Sequence, residues 1–148
     1  MSTTTEPRSI SSTARASADL FARAGGAVLA LLVSVIHIED QGGLTALKDP
    51  AYVGQGYRLL ELAGVVVALL LLIAPARARV AGWVLAVGVA VGPLVGYALS
   101  RGPGLPGYTD DKGNWTELIV LQAVVIEVLL LALAAAALGT MARRRVAP

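Results

Sequence analysis

The sequence predicts an all-α integral membrane protein, a bundle of four transmembrane helices, and three observations predict it. Apolar residues make up 56% of the chain and charged residues only 15%, against about 25% charged in soluble domains. The apolar residues gather into four long runs instead of recurring at core spacing. Four spans of roughly 20 residues each also use up most of the 148 residues. The expected layout is a disordered cytoplasmic tail over 1–18, a four-helix membrane domain over 19–140 and a basic cytoplasmic tail over 141–148.

Residues Met1 to about Ala18 are rich in Ser, Thr and Ala, include Pro7 and lack apolar periodicity, the pattern of a disordered tail. The first span runs from about Leu20 to Ile38, with Arg23 near enough to its start to snorkel toward the headgroups. No small-x-small cleavage site follows Val35-Ile36-His37-Ile38, so this span is expected to stay in the protein rather than leave as a signal peptide. The second span runs from about Tyr57 to Ala74 and stops at Pro75. The third covers about Val80 to Leu99. The fourth covers about Glu117 to Leu138, ahead of Arg143, Arg144 and Arg145.

Orientation follows from the basic residues, which favour the cytoplasmic side. Arg8, Arg15, Arg23, Arg77, Arg79 and the three terminal arginines place eight on one side, against Lys48, Arg58, Arg101 and Lys112 on the other. Both termini and the short second loop are therefore expected in the cytoplasm of a plasma-membrane protein, N-in and C-in. The two longer loops, which hold Glu39, Asp40, Asp49, Asp110 and Asp111, are expected outside. Aromatic placement agrees, with Tyr57, Tyr97, Tyr108 and Trp115 at the outer interface and Phe21 and Trp83 toward the inner one.

Membrane helices associate through small residues that let backbones approach. Gly88, Gly92 and Gly96 lie at four-residue steps on one face of the third span and predict a packing seam there, with a kink at Pro93. Gly26, Ala30 and Ser34 share a face that leads to His37, and Glu61 shares one with Gly64 and Ala68. In the fourth span Glu127 shares its face with Ala123 and Ala134, although Leu131 and Leu138 interrupt that stripe.

The absence of cysteine excludes disulfides, thiolate metal sites and thiol redox chemistry. No phosphate-binding glycine loop, nucleophile elbow or nucleic-acid-binding patch is present, and no cofactor is indicated. The expected partners are the lipid bilayer and either a second copy or another membrane protein, with no nucleic acid.

Glu127 is the most informative residue. It lies ten positions beyond Glu117, or about 15 Å down a helix, near the bilayer centre. An acid at that depth costs on the order of 3 kcal/mol even on lenient scales and marks a functional candidate. Glu61 is shallower and one turn from Arg58, so an interfacial salt bridge competes with a functional role. His37, the only histidine, ends the first span, a position as suited to a structural hydrogen bond as to a ligand. Together His37, Glu61, Tyr97 and Glu127 are expected to line one outward-opening polar pocket that binds a small ligand or ion. His37, Glu61 and Glu127 are the candidate ligands for a divalent metal, and Glu61 and Glu127 the candidate catalytic pair.

The stretch Gly96-Tyr97-Ala98-Leu99-Ser100-Arg101-Gly102-Pro103-Gly104-Leu105-Pro106-Gly107, followed by Glu127 and preceded by His37, resembles a pattern in small uncharacterised actinobacterial four-span proteins. A looser similarity to DoxX-like four-helix membrane proteins is one of fold. The resemblance implies a four-helix fold and no activity. Three readings stand: an accessory or small-ligand-binding bundle centred on Glu127, a membrane-embedded enzyme with Glu61 and Glu127 as acid and base, and a subunit of an oligomeric cation-coupled transporter.

Overall fold

Backbone amides in hydrocarbon must find partners within their own segment, and each of the four apolar runs accordingly forms one helix. The computed structural model describes residues 8–146, with α1 at Arg8–Asp40, α2 at Ala51–Leu72, α3 at Ala76–Arg101 and α4 at Leu118–Val146. Each helix holds a stretch long and apolar enough to cross a membrane. The protein is an all-α four-helix membrane bundle. Each helix packs on its chain neighbours, α4 closes the ring against α1, and among the described residues the diagonal pair α2 and α4 do not meet. The connections alternate ends: residues 41–50 and 102–117 form a long-loop end, and the tight 73–75 turn lies at the other.

The helices outrun the apolar runs that reveal them. Residues 8–18, expected in a disordered tail, are already helical, while residues 1–7 of that tail lie outside the described residues. Arg143, Arg144 and Arg145 belong to α4 rather than to a separate tail, and α2 starts at Ala51 instead of near Tyr57. Hydropathy marks the membrane-crossing part only; once that part is helical, each further Ala, Arg or Leu extends it at little cost. At the end of α1, Gly42 adopts φ +96° and the Gly43 N–H reaches back to the Ile38 carbonyl at 2.8 Å. This closure needs the left-handed conformation that glycine permits.

Packing is tight in the half near the 73–75 turn. Trp83 and Leu71 are fully buried there, and Leu130, Val33 and Val67 continue the fully buried core. Trp83 is thus a core residue and not the interfacial aromatic that sequence position suggests. Gly26 makes the slot for it, since a Cβ at Gly26 would lie 2.7 Å from the indole. Gly64 does the same between α1 and α2, where a Cβ would meet Ser34 Oγ at 2.1 Å and the Ala30 carbonyl at 2.5 Å. Arg23 does more than snorkel: it donates to the Leu71 and Leu72 carbonyls at 2.6 and 2.7 Å, satisfying orphan acceptors at the end of α2.

The glycine stripe of α3 behaves in the opposite way. A Cβ at Gly88, Gly92 or Gly96 would meet nothing within 4 Å. The packing seam expected on this face does not form. The stripe borders open space, and α3 runs through Pro93 as a helix alongside it.

Candidate functional site

The open space is a cavity of about 560 Å³ between the helices in the long-loop half, within the range of small-molecule sites. Its longest wall is α3, from Leu85 to Arg101, which spans about 24 Å at 1.5 Å per residue. Gly88, Gly92 and Gly96 are on that wall, and Gly56 of α2 adds another position where a Cβ would meet nothing. The wall residues that remain exposed, such as Leu59, Gly56, Gly88 and Gly92, all belong to α2 and α3; none belongs to α4. The mouth is therefore the seam between α2 and α3, facing sideways. The long-loop end is roofed instead: Tyr52 of α2 donates to the Pro106 carbonyl at 2.8 Å, and Leu105 and the buried Tyr108 lie beneath. A pocket opening past the loops, as the sequence suggests, is replaced by one opening through the bundle wall.

Glu127 lines the inner wall and is 1% exposed. Its polar neighbour among the described residues is His37, whose Nε2 lies 3.7 Å from Glu127 Oε1, beyond hydrogen-bond range. The other ring nitrogen, Nδ1, is 2.8 Å from the Val33 carbonyl. That carbonyl can only accept, so Nδ1 carries a hydrogen and Nε2 of a neutral ring presents its lone pair toward Glu127. The fold brings these two predicted residues together because α1 and α4 close the ring of helices.

Beside His37, the Tyr57 ring packs edge-on at 5.3 Å between centroids. The Tyr57 hydroxyl donates to Asp40, which also pairs with Lys48 at 2.8 Å. Tyr97 lines the cavity too, but its hydroxyl is committed to the Trp115 carbonyl at 2.9 Å. It therefore offers a ring face rather than a donor.

Glu61 departs from the predicted group. It is buried on the α1–α2 seam and does not line the cavity. Gln41 donates to one carboxylate oxygen and Arg58 to the other at 2.8 Å. Arg58 also holds the Leu44 and Ala46 carbonyls of the first long loop. Glu61 fastens that loop to the bundle, and no shared space joins it to Glu127 as an acid–base pair. Likewise, among the described residues no group of three or more His, Asp or Glu side chains is arranged to hold a metal ion, so the His37, Glu61 and Glu127 metal set is not assembled. The carboxylate nearest His37 by geometry is Glu127, while Glu61 is saturated by Gln41 and Arg58.

Arg101 is the residue that sequence reading underrated. It is buried at the top of α3. It donates to the Asn114 carbonyl at 3.0 Å, Ser100 Oγ at 3.1 Å, Asp111 at 2.9 Å and Glu117 at 3.0 Å. Its guanidinium also stands over the Tyr97 ring at 5.3 Å. Tyr108 completes the cap by donating to Asp111 at 2.8 Å; burial and the Asp111 carboxylate hold this phenol above the ordinary tyrosine range. The signal was in the sequence: a lone arginine ends the third span, and Asp110, Asp111 and Glu117 follow within one loop.

Compared with known proteins, the chain matches no family model, no curated protein and no solved structure.

Proposed function

We propose that this protein binds a small lipophilic molecule that enters from the bilayer through the α2–α3 seam and places its polar end at His37 and Glu127. The observation that carries the reading is the cavity wall of Gly56, Gly88, Gly92 and Gly96, where side chains are withheld and no helix fills the room. In a bundle that uses Gly26, Gly64 and Gly82 for close helix contact, a stripe left open beside a buried acid favours an occupant. Intramembrane acids mark functional sites by default, and the sideways mouth suits a ligand already dissolved in lipid. The excess of arginine at the end away from the long loops supports an N-in, C-in orientation, which sets the cavity in the outer half of the membrane.

Native mass spectrometry of the purified protein with dodecanol tests the reading. The wild type is expected to retain one alcohol per chain, and Gly92→Leu, whose side chain would project into the cavity, is expected to lose it at an unchanged melting temperature. Equal retention by both proteins contradicts the proposal.

A further inference from the structure

The chemistry of the cavity's inner end selects among lipophilic molecules, an inference that rests on the binding role proposed above. Arg101 is the one cationic side chain on the wall among the described residues, and Asp111 and Glu117 already pair with it. Lys48 is likewise engaged by Asp40. A carboxylate or phosphate head entering this space would meet Glu127 and Asp111 with no unpaired cation to receive it, and burying an uncompensated charge is strongly unfavourable. Glu127 is the reverse case. It is a buried carboxyl group on the cavity wall, and the described residues give it neither a cation nor a hydrogen-bond donor. His37 supplies none either while its ring is neutral, because its Nδ1 hydrogen is spent on Val33.

Left without a partner, an acid at this depth keeps its proton; once that proton passes to an arriving neutral amine, the inner end presents two acceptors, Glu127 Oε1 and His37 Nε2, 3.7 Å apart, close enough for one nitrogen bearing several hydrogens to reach both. We infer that the ligand is a lipophilic amine, bound as its ammonium ion by Glu127 and His37, with its hydrocarbon chain lying along Gly92 and Gly88 toward the α2–α3 mouth. The ammonium supplies what the acid lacks, a positive charge and N–H donors, and a charge-assisted hydrogen bond of this kind is about twice as strong as a neutral one. The glycine wall accepts the chain without steric demand, since no Cβ stands in its way.

The test compares dodecylamine, dodecanol and dodecanoic acid, matched in chain and different in head, by native mass spectrometry on the full chain. The amine is expected to bind at least about tenfold more tightly than the alcohol, the worth of roughly 1.4 kcal/mol, and the acid most weakly. Glu127→Gln, which keeps size and polarity, is expected to remove the amine's advantage while leaving alcohol binding intact. His37→Gln, which also offers an acceptor, should weaken amine binding less than Glu127→Gln does. If the acid binds as well as the amine, or if Glu127→Gln leaves the amine's advantage unchanged, the amine assignment is overturned. Alcohol binding that still responds to Gly92→Leu would then leave the cavity role standing, whereas no binding by any of the three would remove both.

Discussion

Glycine does two opposite jobs in this chain, and only the neighbours distinguish them. At Gly64 a single added methyl would meet Ser34 and the Ala30 carbonyl at 2.1 and 2.5 Å; at Gly92 it would meet nothing within 4 Å. Gly64→Ala is therefore expected to destabilise the protein by about 1–3 kcal/mol through overpacking. Gly92→Ala should be neutral or slightly stabilising, because alanine is the better helix former. Thermal unfolding of the two variants in the same detergent checks the contrast, and equal melting temperatures would count against it. The same ambiguity limits what a sequence can reveal: a four-residue glycine step reads identically whether it admits a helix or leaves a hole. Glu127 and His37 were legible because a deep acid and a lone histidine stand out in apolar runs. Glu61 was legible as a residue but not as a role, since its partner Gln41 lies in a loop whose path no periodicity reveals.

The elements repeat that pattern. All four spans can be read from hydropathy, yet their ends cannot, because helix propagation past the apolar stretch leaves no hydropathy signal. The long loops stood out in the sequence by their acidic residues, and the second proves to be organised by one side chain. Arg101 holds Asn114, Asp111 and Glu117 while it closes the top of the cavity. Arg101→Ala would leave Asp111 with the Tyr108 hydroxyl alone and remove the hub, with an expected cost of about 1–3 kcal/mol for breaking part-buried ion pairs. Hydrogen exchange should localise the loss to residues 102–117, with faster exchange at the Gly113 amide, which bonds to the Arg101 carbonyl. Unchanged protection across that loop would show that Arg101 does not organise it. Arg101→Lys should fail to restore the loop, because an ammonium cannot reproduce the forked geometry.

For the whole molecule, the asymmetry between halves is the main result. One half is solid around Trp83, and the other is hollow around Glu127. Orientation decides which leaflet would supply the proposed ligand, and the chain's lack of cysteine makes it directly measurable. A membrane-impermeant thiol reagent applied to intact cells should label Thr109→Cys in the second long loop and spare Ala76→Cys beside the short turn. Labelling in the reverse order would invert the proposed topology. The hollow half itself was only partly legible, since sequence predicted a polar group and an opening past the loops but could not foresee the Tyr52–Pro106 roof. The claim that the hollow is a chamber reached from the bilayer is tested most directly by photolabelling in membranes with a diazirine-bearing dodecyl chain. Cross-links should appear on the cavity-lining residues Leu60, Ala63 and Val89 and disappear from them in Gly92→Leu. Cross-links confined to lipid-facing residues such as Leu62 and Val84, unchanged by that substitution, would contradict it.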